Sequence, residues 1–311
     1  MSYALKEINE NVVTRPEEYV DACDTIYNAR ISQAADMICA NLDKSPIVLL
    51  SGPSGSGKTT TAKKVEEELD RRGVYSHTVS MDDYFKTLDR KTAPRTADGE
   101  IDFESPLCVD MDLLNEHFAK LAAGEEIRIP YFMFARQKRS ASRFTPMRLG
   151  KNEIAIFEGI HALNDSITDE NPNAFKLFIS AASDIEDNGE VLFRREWMRL
   201  IRRIVRDNNF RGADALLTLN MWGNVMHGEA LYIQPFKYKA DLTLDSSLPY
   251  EVPLMKQYAL PLLNELVGKC SPIPEFDRIV NALEQFAVLE EKYVKPESLL
   301  REFIGGGIYE Y

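Results

Sequence analysis

Residues Gly52 to Thr59 read Gly-Pro-Ser-Gly-Ser-Gly-Lys-Thr, and this G-x-x-x-x-G-K-T spacing lies between an apolar run, Ile47 to Leu50, and a helix-like stretch ending at Gly73. A strand, a glycine-rich loop and a helix in that order leave few folds open to the chain. Glycines let a backbone close around phosphates, while the loop's N–H groups and the helix N-terminus supply positive potential. Lys58 adds a full charge, and Thr59 offers the hydroxyl that holds Mg²⁺ in such loops. The residues expected to line a triphosphate are Gly52, Ser54, Gly55, Ser56, Gly57, Lys58, Thr59 and Thr60.

Hydrophobic periodicity extends this unit into an α/β fold. From Pro16 to Leu42, apolar residues recur every three or four positions, which predicts an amphipathic helix. "YSHTVSMDDYF", "EIAIFEG", "AFKLFISA" and "ADLTLD" read as further strands, and "EEIRIPYFMFARQ" as a hairpin excursion. Helices are predicted over Met111 to Ala123, from about Val191 to Asp207, over Val252 to Val267 and over Glu275 to Tyr293. The end, "FIGGGIYEY", is expected to be loosely ordered. Alternating strands and helices imply a doubly wound, mostly parallel sheet with helices on both faces. The expected division is a helical extension over 1–45, a phosphate-loop domain over 46–268 and a C-terminal helical extension over 269–311.

Composition narrows the partners. A net charge of −12 over 311 residues opposes binding to a nucleic acid backbone. No stretch approaches the ~18 apolar residues that span a bilayer, and the N-terminus lacks the pattern of a signal peptide, so a cytoplasmic location is expected. The cysteines Cys23, Cys39, Cys108 and Cys270 and the histidines His77, His117, His161 and His227 are scattered without metal-ligand spacing.

Parallel sheets place ligands beyond the carboxyl ends of their strands. The acids found there are Asp82 and Asp83, after "TVS", and Glu158, after "IAIF". Adjacent residues of an extended segment point to opposite sides, so only one of Asp82 and Asp83 is expected to face the loop, the other being a solvated or structural acid. The arginines Arg194, Arg195, Arg199, Arg202, Arg203, Arg206 and Arg211 cluster within an acidic chain. Arg195, Arg199, Arg202 and Arg206 share a helical face opposite Phe193, Trp197, Ile201 and Ile204, which suggests a phosphate-clamping lid over a merely solvated face.

In order along the chain, "GPSGSGKTT", "SMDDYF", "DFESPLCVDMDLL", "IPYFMF", "IFEGI", "RRIVRDNNFRG" and "KYKADLTLD" resemble the uridine kinase and phosphoribulokinase family of P-loop kinases, over roughly Pro46 to Leu248. The resemblance implies an ATP- and Mg²⁺-dependent transfer of phosphate to a small-molecule hydroxyl. Asp82 then matches the catalytic aspartate, with Asp83 where the family carries serine and Phe85 where it carries tyrosine. Thr59, Glu158 and Asp82 would hold Mg²⁺, and Glu104 matches an aspartate that binds ribose hydroxyls. Phe132, Phe134 and Gln137 match the positions that read the base, although the family carries tyrosine and histidine at the first and last. Arg203, Arg206 and Arg211 match lid arginines, and Ala213 replaces one.

The acceptor stays open at this stage. Uridine or cytidine is the simplest reading, and a phosphorylated sugar, a nucleotide or a pantothenate-like acceptor is the alternative. Arg136, Lys138 and Arg139 would either be a solvated hairpin tip or attract an acceptor that already carries negative charge. A non-catalytic ATP-binding regulator is a further reading. The apolar stripes of the two extensions predict either intramolecular core or the interface of a homo-oligomer.

Overall fold

The computed structural model describes residues 2–96, 99–269 and 273–310. Cys270 and Ser271 lie outside them. A five-stranded, fully parallel sheet forms the centre, with β2 (Ile47–Ser51), β3 (Tyr75–Ser80), β6 (Glu153–Glu158), β7 (Phe175–Ser180) and β10 (Leu242–Asp245) in the order β10-β7-β2-β6-β3. The central strand β2 is buried along its whole length, as a parallel strand covered on both faces must be.

Alternate side chains of β2 serve different cores. Val48 and Leu50 point into a cluster with α2 (Pro16–Asn41) and α6 (Arg195–Phe210), while Ile47 and Leu49 meet α4 (Met111–Ala122) on the opposite face. Helix α2 begins with Pro16, whose missing N–H costs nothing in a first turn. Its stripe of Val20, Tyr27, Ile31, Ala35 and Ile38 joins Val48 and Leu50 in a single apolar core, together with Phe276, Leu283 and Phe303 from the C-terminal region. Both extensions therefore bury their apolar faces within the chain.

A hairpin of β4 (Ile127–Met133) and β5 (Lys138–Met147) projects from the sheet, with a bulge between Pro130 and Phe132. A small second sheet joins β1 (Ser2–Ala4), β8 (Asp184–Asp187) and β9 (Glu190–Phe193), and α1 (Leu5–Thr14) follows β1. The remaining helices are α3 (Lys58–Asp70), α5 (Asp165–Thr168), α7 (Ala215–Tyr232), α8 (Glu251–Asn264), α9 (Phe276–Glu284) and α10 (Arg301–Ile304). Among the described residues no helix is long and apolar enough to cross a membrane.

Several expectations are corrected. Residues 191–193 are strand, and the arginine helix begins at Arg195, because Val191 and Phe193 pair with β8. The helix expected over Glu275 to Tyr293 stops at Glu284, and only a short 3₁₀ turn follows at Glu291–Tyr293. Helix α7 was not foreseen: its sequence is apolar on most sides and holds Gly223 and Gly228, so it carries little amphipathic signal. The C-terminal end is not loose, since Phe303 is fully buried and Arg301 is hydrogen-bonded to the carbonyls of Lys295 and Gly305.

Candidate active site

Register brings the chemistry to one edge of the sheet. Leu50 pairs with Glu158 across β2 and β6, and Ser80 pairs with Glu158 across β3 and β6. The phosphate loop, the Asp82 turn and Glu158 consequently leave neighbouring strands at the same end. Gly57 precedes α3 with φ of 82°, a left-handed backbone that an L side chain adopts only with strain. The Lys58 Nζ donates to the Pro53 carbonyl at 3.3 Å, which folds the side chain back over the loop.

Helix α6 shapes the outer rim of that loop. Arg199 donates to the Ser54 carbonyl (3.2 Å) and Arg202 to the Gly55 carbonyl (3.1 Å), while Arg203 donates to the Ser54 hydroxyl. The Ser246 hydroxyl donates to the Ser56 carbonyl at 2.7 Å. With these carbonyls engaged outward, the loop can turn N–H groups toward an anion, the Ser56 N–H excepted because it donates to the Pro53 carbonyl at 3.2 Å. Two of these arginines are neutralised internally, Arg199 by Glu229 (2.6 Å) and Arg202 by Glu251 (2.6 Å), whose side chains are all nearly or wholly buried. Arg195 is held by Asp184 instead.

The arginines nearer the cleft form a different group. Asp207 lies 2.7 Å from Arg206, 3.8 Å from Arg203 and 3.7 Å from Arg211. One carboxylate facing three guanidinium groups leaves an excess of positive charge. Arg203 Nε has no hydrogen-bond partner among the described residues.

Asp82 and Asp83 sit on a 3₁₀ turn, Met81–Tyr84, rather than on the extended segment expected, yet they still diverge. The turn is clamped from below: Arg139 donates to the Tyr84 carbonyl (2.7 Å) and the Phe85 carbonyl (3.2 Å) and pairs with Asp110 (2.8 Å). Asp83 accepts the Phe132 N–H at 3.3 Å and so ties the turn to the hairpin. Asp82 stays accessible to solvent in a cleft crowded by protein. That crowding raises its carboxyl above the usual range, against the pull of Lys58 and Arg211. Burial likewise pushes Glu158 up to about 7, opposed by Lys58 and reinforced by Asp82 and Glu302.

On the acceptor side, Glu104 packs against Gly228 of α7, where a Cβ would come within 2.5 Å of the Glu104 Cβ. The Glu104 N–H donates to Asp102 (3.1 Å), which also accepts the Tyr232 hydroxyl at 3.0 Å. Burial raises the Glu104 carboxyl to about 6, and the nearby Arg203 opposes the shift. Phe85, Phe132 and Phe134 form an aromatic cluster with centroids 5.1 to 6.5 Å apart. Gln137 is exposed at the hairpin tip with φ of 49°.

The donor set fits a divalent cation. Asp82 and Glu158 stand at adjacent strand ends, both held toward their neutral forms by crowding that the nearby Lys58 only partly offsets. Among the described residues no cluster of three or more acids, histidines or cysteines is built for a metal. That suits Mg²⁺, which takes one or two carboxylates and completes its shell with water and phosphate oxygens.

The family model described as "Phosphoribulokinase / Uridine kinase family" matches residues 47–251. The chain belongs to this family. Its relatives include uridine-cytidine kinase-like 1 of Mus musculus, 28% identical over 82% of this chain and 45% of the mouse protein. The chain thus spans less than half of that relative's length. A uridine kinase of Anoxybacillus flavithermus is 30% identical over 65% of this chain and 86% of its own. Among solved structures, a candidate fructose transport system kinase from Silicibacter sp. TM1040 shares the fold with a TM-score of 0.50 at 20% identity, covering 68% of this chain and 98% of that one.

Within the family frame, three features were not legible in the sequence. Glu302 contacts Thr60, Asp207 gathers Arg203, Arg206 and Arg211, and α7 closes against Glu104. The only available signal was the aspartate of "RRIVRDNNFRG" beside the arginines it pairs.

Proposed function

We propose that the protein transfers the γ-phosphoryl group of ATP to the 5′-hydroxyl of a nucleoside, uridine or cytidine. The observation that carries this reading is the convergence of Lys58, Asp82 and Glu158 on neighbouring strand ends beside a surplus of arginine charge. The loop N–H groups and Lys58 hold the phosphates. Asp82 orients the acceptor hydroxyl and takes its proton as the new O–P bond forms. The bond from phosphorus to the β-phosphate bridging oxygen breaks, and ADP leaves with that electron pair.

A raised Asp82 carboxyl suits this role, because a base works best when its pKa lies nearer the working pH. Thr59 and Glu158 would hold Mg²⁺, which supplies neutralising charge to the phosphates. Arg203, Arg206 and Arg211 supply charge on the transferring group, and the substitution at Ala213 leaves one fewer than the family pattern. Glu104 hydrogen-bonds ribose hydroxyls. The rings of Phe85, Phe132 and Phe134 stack on the base, with Gln137 at the rim.

The engagement of Arg139 in the Asp82 turn weighs against an acceptor that is itself anionic, since it removes one charge from the 136–139 run. The test is a panel of nucleosides, nucleotides, phosphorylated sugars and pantothenate with ATP and Mg²⁺. Uridine or cytidine should give the highest kcat/KM; a preference for any anionic acceptor would replace the nucleoside in this reading.

A further inference from the structure

The chain after Tyr293 turns back over the phosphate loop. Arg301 gathers this segment, pairing with Glu291 and donating to the carbonyls of Lys295 and Gly305. Ser298 meets the Tyr250 hydroxyl at 3.1 Å. Leu299 covers Gly57 so closely that a Cβ on that glycine would lie 2.4 Å from the leucine side chain. Phe303 is fully buried, with the Arg202 guanidinium 5.2 Å from its ring centroid. Between them Glu302, itself buried, accepts the Thr60 N–H (3.2 Å) and the Thr60 hydroxyl (2.7 Å).

Thr60 lies in the first turn of α3, directly after the Lys58-Thr59 pair. N–H groups at that place are what a phosphate loop offers to the α- and β-phosphates of a nucleotide. A carboxylate already bound there competes with a phosphate for the same donors, and two anions so close repel. We propose that the segment Leu299–Phe303 is an autoinhibitory occupant of the nucleotide site, with Glu302 standing where a nucleotide phosphate binds, so that ATP enters only after the segment lifts away. The inference rests on the kinase reading above.

The apolar contacts of Leu299 and Phe303 set the fraction of molecules that are open, and the apparent nucleotide affinity falls by that fraction. The segment is therefore a gate on nucleotide affinity.

Calorimetry with ADP on the full chain, as wild type, Glu302→Gln and Glu302→Ala, reads the competition without turnover. Removing the charge should tighten ADP binding by about tenfold or more in both variants. In the wild type, hydrogen exchange at residues 299–305 should speed up when ADP is added. ADP binding that is unchanged or weaker in both variants, or added protection of 299–305, overturns the inference while leaving the kinase reading intact. Failure of all three proteins to bind ADP overturns both.

Discussion

The two sides of the cleft are built differently. On the phosphate side, the loop is braced by Arg199, Arg202 and Arg203, each engaged with a loop carbonyl or hydroxyl, and two of them carry their own buried counter-ions. On the acceptor side, the hairpin is held through the backbone N–H of Phe132 and through Arg139, while Phe134 and Gln137 stand in solvent. The phosphate machinery is over-determined and the acceptor surface is loosely constrained. This is the arrangement expected when one reaction is kept and its acceptor retuned, because function resides in groups placed on a shared fold.

The contrast is open to test, beginning with the largest effect. Arg203→Ala and Arg206→Ala should each lower kcat by about 10³-fold, since a guanidinium on a transferring phosphoryl group is worth that much or more. Steady-state kinetics that leave both variants unchanged would move these arginines out of the chemistry. Arg202→Ala removes one partner of a buried pair and should destabilise the protein by about 3–5 kcal/mol, read by denaturant unfolding. A small loss there would mean that the loop does not depend on its bracing helix.

A subtler test uses pH. Glu158 lies at about 7 in the folded protein, above its ordinary value, so the folded state holds a proton that the unfolded state releases. Its contribution is fully present below the ordinary carboxyl range and is lost as pH rises through about 7. Unfolding of the ligand-free protein should show a loss on the order of 3 kcal/mol across that window, and Glu158→Gln should remove it. Glu104, at about 6, adds a smaller loss in the same direction. Smallest of all, Gln137→Ala at the exposed tip should change stability by no more than about 0.5 kcal/mol. A larger cost would place Gln137 inside the packed side of the comparison.

The same contrast explains what could be read from sequence. Phosphate-loop chemistry needs fixed residue types at fixed spacing, so Gly52 to Thr59 and the strand ends bearing Asp82 and Glu158 were visible at once. The helix of Pro16 to Asn41 was visible because one stripe of it meets the core. Long-range partners were not. Nothing near Glu302 in the chain points to Thr60, 242 positions away. Nor does spacing distinguish Arg199 and Arg202, paired with Glu229 and Glu251, from the arginines gathered on Asp207. Periodicity also failed at α7, whose one buried stripe, with Leu219, Trp222 and Val225, lies opposite an exposed side that still carries Leu217, Met221 and Leu231.

The turn at Asp82 and Asp83 offers the most direct test. The neighbouring acids have the same chemistry and opposite surroundings: one feels Lys58 and Arg211 in the cleft, and the other is bonded to the Phe132 backbone. Phosphoryl transfer from ATP to uridine should be measured for wild type, Asp82→Asn and Asp83→Asn, with ATP affinity determined in parallel. The account predicts that Asp82→Asn loses about 10²- to 10⁴-fold in kcat while still binding ATP, and that Asp83→Asn stays within about tenfold of wild type. Equal losses in the two variants, or a wild type that binds ATP and phosphorylates no acceptor, would contradict it.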